Sequence, residues 1–197
     1  MSTQTRKERE RAQRQQRIID TARELAEAEG WDAVTVRRLA DRIEYSQPVL
    51  YSHFAGKSAI VGAVAVQGCV ELTAVLRAAR DAAGADRARR FAGLATTYLD
   101  FAAAHPATYD AIFSLDTDLI FGLGALEPLR EAFAEIEAVF AGSVADADLP
   151  AYTELCWSAL HGLADLDRSG RLRPELRADR LRLLIDQWTA VAARNGS

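Results

Sequence analysis

The sequence is short of the residues that most often carry chemistry. Its two cysteines, Cys69 and Cys156, lie far apart and without CxxC spacing, so neither a disulfide framework nor a thiolate metal site is indicated. Both are expected to be buried as small hydrophobes. The three histidines, His53, His105 and His161, fall in unrelated stretches, and no GxSxG, HExxH or phosphate-binding glycine loop occurs. Asp110, Asp116 and Asp118 read as loop and capping residues rather than as a cation site. No catalytic residue, metal or cofactor is therefore expected. No uninterrupted run of 18 apolar residues occurs, so no membrane span is expected, and the N-terminus lacks the apolar stretch of a secretory signal. Alternating β-branched residues, the mark of strands, are almost missing, and the expected fold class is all-α.

What is present is helical periodicity and an uneven charge. The net charge of −4 over 197 residues hides a basic start. Residues 1–17 carry Arg6, Lys7, Arg9, Arg11, Arg14 and Arg17 against Glu8 and Glu10, a surplus of four positive charges, whereas residues 61–197 hold 13 basic and 19 acidic groups, a surplus of six negative ones. A basic end on an acidic body suits a chain that meets nucleic acid at one end. The plainer reading is a solvated, frayed tail.

Ile18, Ala22, Leu25 and Ala26 fall on one face of a first helix, and Gly30 fits a left-handed position after its end. Val36, Leu39, Ala40 and Ile43 make a short second helix over about 35–43, with Thr35 placed to cap it. A third, still shorter helix follows, with Ser46 as its N-cap, Pro48 in its first turn and only Leu50 and Phe54 as apolar anchors. Longer helices are expected at about 57–83, 87–104, 125–141, 150–168 and 174–193, with a short one at 107–113. "SLDTDLIFGLG" (114–124) reads as a loop or lid. The expected division is a basic arm (1–16), a helix-turn-helix domain (17–62) and a larger helical domain (63–197).

Two short helices joined by Glu44 and Tyr45 fit a helix-turn-helix, whose second helix enters the major groove while the first crosses the backbone. Leu50 and Phe54 suffice to dock that second helix. Tyr51 can reach a phosphate oxygen, and Lys57 opens the next helix, where its ammonium and the backbone N–H groups favour an anion together. Gln47 suits adenine and Arg37 suits guanine if either reaches a base edge, and Pro48 and Val49 can touch a thymine methyl. The basic arm can enter a minor groove or run along phosphates.

"VTVRRLADRIEYSQPVLYSHFAGKSAI" (34–60) resembles the DNA-binding region of the TetR family of bacterial transcriptional regulators, in the apolar spacing of the second helix, the Leu50-Tyr51-x-His53-Phe54 run and the lysine three residues later. The resemblance implies an all-helical homodimer with an N-terminal DNA-binding domain and a C-terminal ligand-binding and dimerisation domain. It carries DNA contacts onto Thr35, Val36, Arg37, Ser46, Gln47, Pro48, Val49, Tyr51, His53 and Lys57. The chain departs from the usual pattern at Glu44, where many members have glycine, and at Ser58, where many have glutamate. Glu44 is expected to face solvent.

"CWSALHGLADLDRSGRL" (156–172) resembles a subgroup of the family marked by Trp-x-x-x-His-Gly, here Trp157, His161 and Gly162. The plainer reading is a packed core pair, with Gly162 admitting a close helix. The family wraps a small-molecule cavity with segments that here carry Tyr98, Phe101, Tyr109, Phe113, Phe121, Phe133, Trp157 and His161, which makes these the candidate ligand contacts; Arg90 and Asp100 are further polar candidates. Leu155, Ala159, Leu163 and Leu166 form one apolar stripe and Leu181, Leu184, Ile185 and Trp188 another, the pair expected to build a four-helix dimer interface. The expected function is a ligand-responsive, sequence-specific DNA-binding regulator, a repressor released from a palindromic operator by a small apolar effector, acting in the cytoplasm. The competing reading is a small-molecule binding protein of the same fold without operator binding. Retention of Gln47, Tyr51 and Lys57 argues against it. An enzyme on this fold would need a catalytic constellation, and the sequence shows none of the motifs named above.

Overall fold

A computed structural model describes residues 3–115 and 124–195. Among these residues there are nine α-helices and no strand. They are α1 (Thr3–Glu29), α2 (Val36–Ile43), α3 (Gln47–His53), α4 (Lys57–Ala83), α5 (Arg87–Ala104), α6 (Pro106–Phe113), α7 (Glu127–Phe140), α8 (Leu149–Arg168) and α9 (Arg177–Asn195). Most of the expected 114–124 loop lies outside the described residues, and so does Phe121.

The helices fall into two compact units. The first holds the chain up to Gly68 together with α6. Its core is the inner face of α1 (Ile18, Ala22, Leu25, Ala26), Leu39, Ala40 and Ile43 of α2, Leu50 and Phe54 around α3, and Ile60 and Val64 from the start of α4, all buried. The membership of α6 was not expected. It docks on α1 through a polar latch. The Glu27 carboxylate accepts hydrogen bonds from the backbone N–H groups of Ala107 (3.0 Å) and Thr108 (2.9 Å) and from the Thr108 hydroxyl (2.7 Å). It thereby caps α6 from another helix, satisfying N–H groups that have no partner within their own helix. The Trp31 indole N–H donates to the Ala107 carbonyl at 2.7 Å. Gly68 of α4 then lets α6 come close, because a Cβ there would collide with the Thr108 methyl and stand 3.0 Å from Ile112 Cδ1.

α1 begins earlier than the apolar pattern indicates. Residues expected to form an arm continue the helix back to Thr3. The stretch is rich in Arg, Lys, Glu and Gln, all strong helix formers. Spaced pairs support it, Arg6 with Glu10 at 2.8 Å and Gln16 with Asp20 at 2.8 Å. Its residues from Arg11 to Arg17 are all exposed, and burial starts at Ile18. The helix ends at Gly30, whose φ of 82° and ψ of 163° only glycine adopts readily, a positive-φ extended conformation rather than the expected left-handed one.

The second unit holds the rest of α4 with α5, α7, α8 and α9. Its centre is aromatic. Phe91 stacks on Phe140 at 5.5 Å, and Trp188 meets both edge-on at 5.9 and 5.1 Å. Glu135, almost fully buried on α7, is held by Arg77 at 2.7 Å and Arg80 at 2.8 Å from α4. Both thiols are buried, as expected, and burial pushes Cys69 up to about 12 and Cys156 to about 11. α4 is long and apolar enough to cross a bilayer, with a mean hydropathy of 1.9 over its best window, although no unbroken apolar run marks it in the sequence. Half of that window is buried in the protein, which is how a core helix also reads.

Candidate nucleic-acid interface

α2 starts where Thr35 caps it, its hydroxyl accepting from the Arg38 N–H at 3.2 Å. That hydroxyl keeps its own proton for an outside acceptor. Arg38 turns back to grip Glu29 with both guanidinium nitrogens, at 2.9 and 3.0 Å, so that of these two exposed arginines Arg37 is the one without an ion-pair partner among the described residues. The Glu29–Arg38 hydrogen bond lowers the pKa of Glu29 and raises that of Arg38.

The turn between α2 and α3 is three residues long. Glu44 sits in the left-handed region at φ 59°, ψ 37°, with its side chain exposed as expected. Tyr45 donates its backbone N–H to Ala40, and its ring lies under the Arg17 guanidinium at 5.8 Å. Ser46 occupies the N-cap position of α3. Its side chain makes no capping bond, and Pro48 fills the first turn.

α3 therefore projects as a short helix with a buried and an open side. Leu50 (1% exposed) and Phe54 (8%) fix it to the core, whereas Tyr51 is 55% exposed. Thr35, Arg37, Ser46, Gln47, Pro48 and Lys57 are exposed; Val36, Val49 and His53 are half-buried. The Lys57 ammonium donates to the Trp31 carbonyl, which leaves two of its three protons for another acceptor. All ten residues singled out for DNA contact lie in the first unit.

One group of side chains beside them was not singled out as a site. Lys7, Arg11 and Arg14 of α1 line a cleft with Glu10 and with Val49, Ser52 and His53 of α3. The imidazole of His53 is held below its ordinary pKa, first by burial and then by Arg11 and Arg14. The spacing of 7, 11 and 14 was available in the sequence, but only a helix turns it into one row.

The candidate ligand residues divide between the units. In the second, Tyr98 and Phe101 of α5 are buried, and the Trp157 indole N–H donates to the Tyr98 hydroxyl at 3.0 Å. Phe133 meets Trp157 edge-on at 6.3 Å, and His161 lies 6.2 Å from the same indole, its pKa lowered chiefly by burial. Tyr109 and Phe113 belong to the first unit, their rings 4.8 Å apart. Asp100 is engaged by Arg177 at 3.2 Å, and Arg90 donates to the Gly84 carbonyl. A Cβ at Gly162 would meet nothing within 4 Å, so packing within one chain does not require that glycine.

A capped eight-residue helix, a three-residue turn and a seven-residue helix docked by two apolar side chains with its polar residues outward define a helix-turn-helix DNA-binding protein, here with a helical domain after it. Residues 18–64 match the description "Bacterial regulatory proteins, tetR family", and residues 91–187 match "Tetracyclin repressor-like, C-terminal domain". An HTH-type transcriptional regulator of Mycobacterium tuberculosis is 30% identical over 161 residues, 78% of this chain and 69% of that protein. The class C tetracycline repressor of Escherichia coli is 46% identical over 48 residues, 24% of this chain and 22% of the repressor. Among solved structures, BioQ of Mycobacterium smegmatis has the same fold, with a TM-score of 0.60 at 22% identity over 88% of this chain and 97% of its own. The chain belongs to the TetR family and is a ligand-responsive, DNA-binding transcriptional regulator.

Proposed function

We propose that the protein is a cytoplasmic repressor without catalytic activity, that it binds a palindromic operator as a homodimer, and that a small apolar effector releases it. The observation that carries the proposal is the open face of α3. Gln47, Pro48 and Tyr51 stand outward while Leu50 and Phe54 hold the helix in place, an arrangement with no use in the protein's own core. Gln47 would read a base edge, Arg37 and Val49 would flank it, and Tyr51, Thr35 and Lys57 would hold phosphates.

The effector site of this reading is the aromatic group Tyr98, Phe133 and Trp157 with His161, where apolar faces surround a few polar atoms. Release requires that effector and operator favour different conformations, and the effect can be no larger than the effector's differential affinity for the two. α6 suits this role by position, since Glu27 of α1 and Trp31 just after it hold it in the first unit while its chain neighbours α5 and α7 belong to the second.

Selection of bound duplexes from random sequence tests the proposal. An enriched inverted repeat whose binding weakens in Gln47→Ala is expected. No enrichment at low salt would leave the protein as a small-molecule binder only.

A further inference from the structure

The cleft between the N-terminal part of α1 and α3 has the chemistry of an anion seat. Lys7, Arg11 and Arg14 stand at i, i+4 and i+7, one row on one face of the helix. Like charges at this spacing oppose helix formation. None of the three has an ion-pair partner among the described residues, although acids are close; Glu10, which also lines the cleft, is taken by Arg6 at 2.8 Å. Across the cleft stand Ser52 and His53, and the His53 Nδ1 is shielded from solvent with no hydrogen-bond partner. Three uncompensated cations and the half-buried His53 ring thus line one cleft at the C-terminal end of α3.

We propose that this cleft seats a phosphodiester of the DNA backbone, gripped by Lys7, Arg11 and Arg14 from α1 and by His53 from α3. The proposal rests on the reading of α3 as the DNA-contacting helix and adds a second point of attachment. It also gives the basic N-terminal segment a defined place, a rigid rail beside α3 rather than a loose arm. The contact is blind to sequence, because it meets phosphate alone. A phosphate in the cleft would also offset the Arg11 and Arg14 repulsion that, after burial, holds the His53 pKa below its ordinary value. The charged groups lining the cleft with His53 are Lys7, Glu10, Arg11 and Arg14, all from α1; burial opposes its protonation first, and Arg11 and Arg14 add to it. Binding should then take up a proton at His53 and strengthen as the pH falls from about 8 to about 6, the range around an ordinary imidazole pKa.

The test uses the full-length protein and a fluorescent duplex carrying the site it selects from random sequence. The substitutions Arg11→Ala and Arg14→Ala together are expected to lower the log–log salt slope by about 1 per protomer and to leave the selected sequence unchanged. Arg9→Ala, outside the cleft, serves as the control. His53→Gln is expected to abolish the gain in affinity between pH 8 and pH 6. All three arginines are exposed, so their variants should melt as the wild type does. An unchanged slope in the double variant, or an equal loss in the Arg9 control, overturns the seat. An identical pH response with and without His53 removes the histidine from it. If the wild type selects no site and binds no duplex, it is the DNA-binding reading itself that fails.

Discussion

Glu44 is the residue at which the chain departs most visibly from its family's pattern, and its backbone explains what that departure costs. At φ 59° and ψ 37° it is the one non-glycine residue with positive φ among those described. A side chain in this region costs roughly 1–2 kcal/mol, part of which glycine returns through the greater freedom of its unfolded state. Glu44→Gly should therefore stabilise the protein by about 0.5–1 kcal/mol, read as a higher urea midpoint with an unchanged slope. A lower midpoint would mean that the carboxylate has a stabilising role that its exposure does not reveal. Thr35 shows the opposite case. Its capping position was legible from the sequence because the hydroxyl precedes a periodic apolar run, and the bond to Arg38 is made. Glu27 was not legible. Its partners lie 80 and 81 positions away, and a single glutamate on a helix carries no signal of where its oxygens go.

Among the elements, α4 and α5 run as the pattern indicates, because Gly84 and Pro106 stop them sharply. The start of α1 was hidden for a physical reason. A helix that is polar all round has no apolar period to read, and only propensity marks it. The cleft beside α3 was hidden with it. The packing of α6 on α4 was hidden because a glycine inside a helix signals only a possible close approach, not the partner. That approach gives a sharp expectation. Gly68→Ala puts a methyl into the Thr108 side chain, which cannot rotate away without releasing Glu27 from its hydroxyl. Overpacking of this kind costs about 1–3 kcal/mol, to be seen as a lower melting temperature. Adding Thr108→Ser, which removes the obstructing methyl and keeps the hydroxyl, should recover most of the loss; no recovery would place the clash elsewhere. Glu27→Ala, which orphans two N–H groups and a hydroxyl, should cost about 2 kcal/mol and speed amide exchange at Ala107 and Thr108. Unchanged exchange at those two amides would show that the latch does not hold α6.

At the scale of the whole molecule, the proposed dimer turns on which apolar side chains one chain leaves uncovered. On α8, Leu155 is 66% and Leu166 37% exposed, with Ala159 and Leu163 half-buried between them. On α9 the expected stripe divides. Trp188 is spent on the chain's own core against Phe91 and Phe140, Leu181, Leu184 and Ile185 are half-buried, and the open leucine is Leu183, at 51%. Apolar spacing alone marked the helix as amphipathic but could not divide its stripe between a packed inner edge and an open outer one. A leucine moved from water into an interface contributes about 1.5–3 kcal/mol, so Leu155 and Leu183 can help hold two chains together only if several such residues are covered at once. Replacing Leu155 and Leu183 by glutamate places four carboxylates in a twofold interface and adds no strain to the single chain, since both side chains are exposed there. The variant should sediment at the 21.5 kDa of one chain at micromolar concentration, where the wild type is expected at twice that mass. Its affinity for an inverted-repeat duplex should fall steeply, towards that of a single half-site, because the two α3 helices are no longer tethered. Trp188→Ala separates the two roles of α9, since it should lower stability by about 3–5 kcal/mol through loss of the aromatic core rather than loosen the dimer directly. A glutamate variant that keeps the wild-type mass would move the interface off this face of α8 and α9.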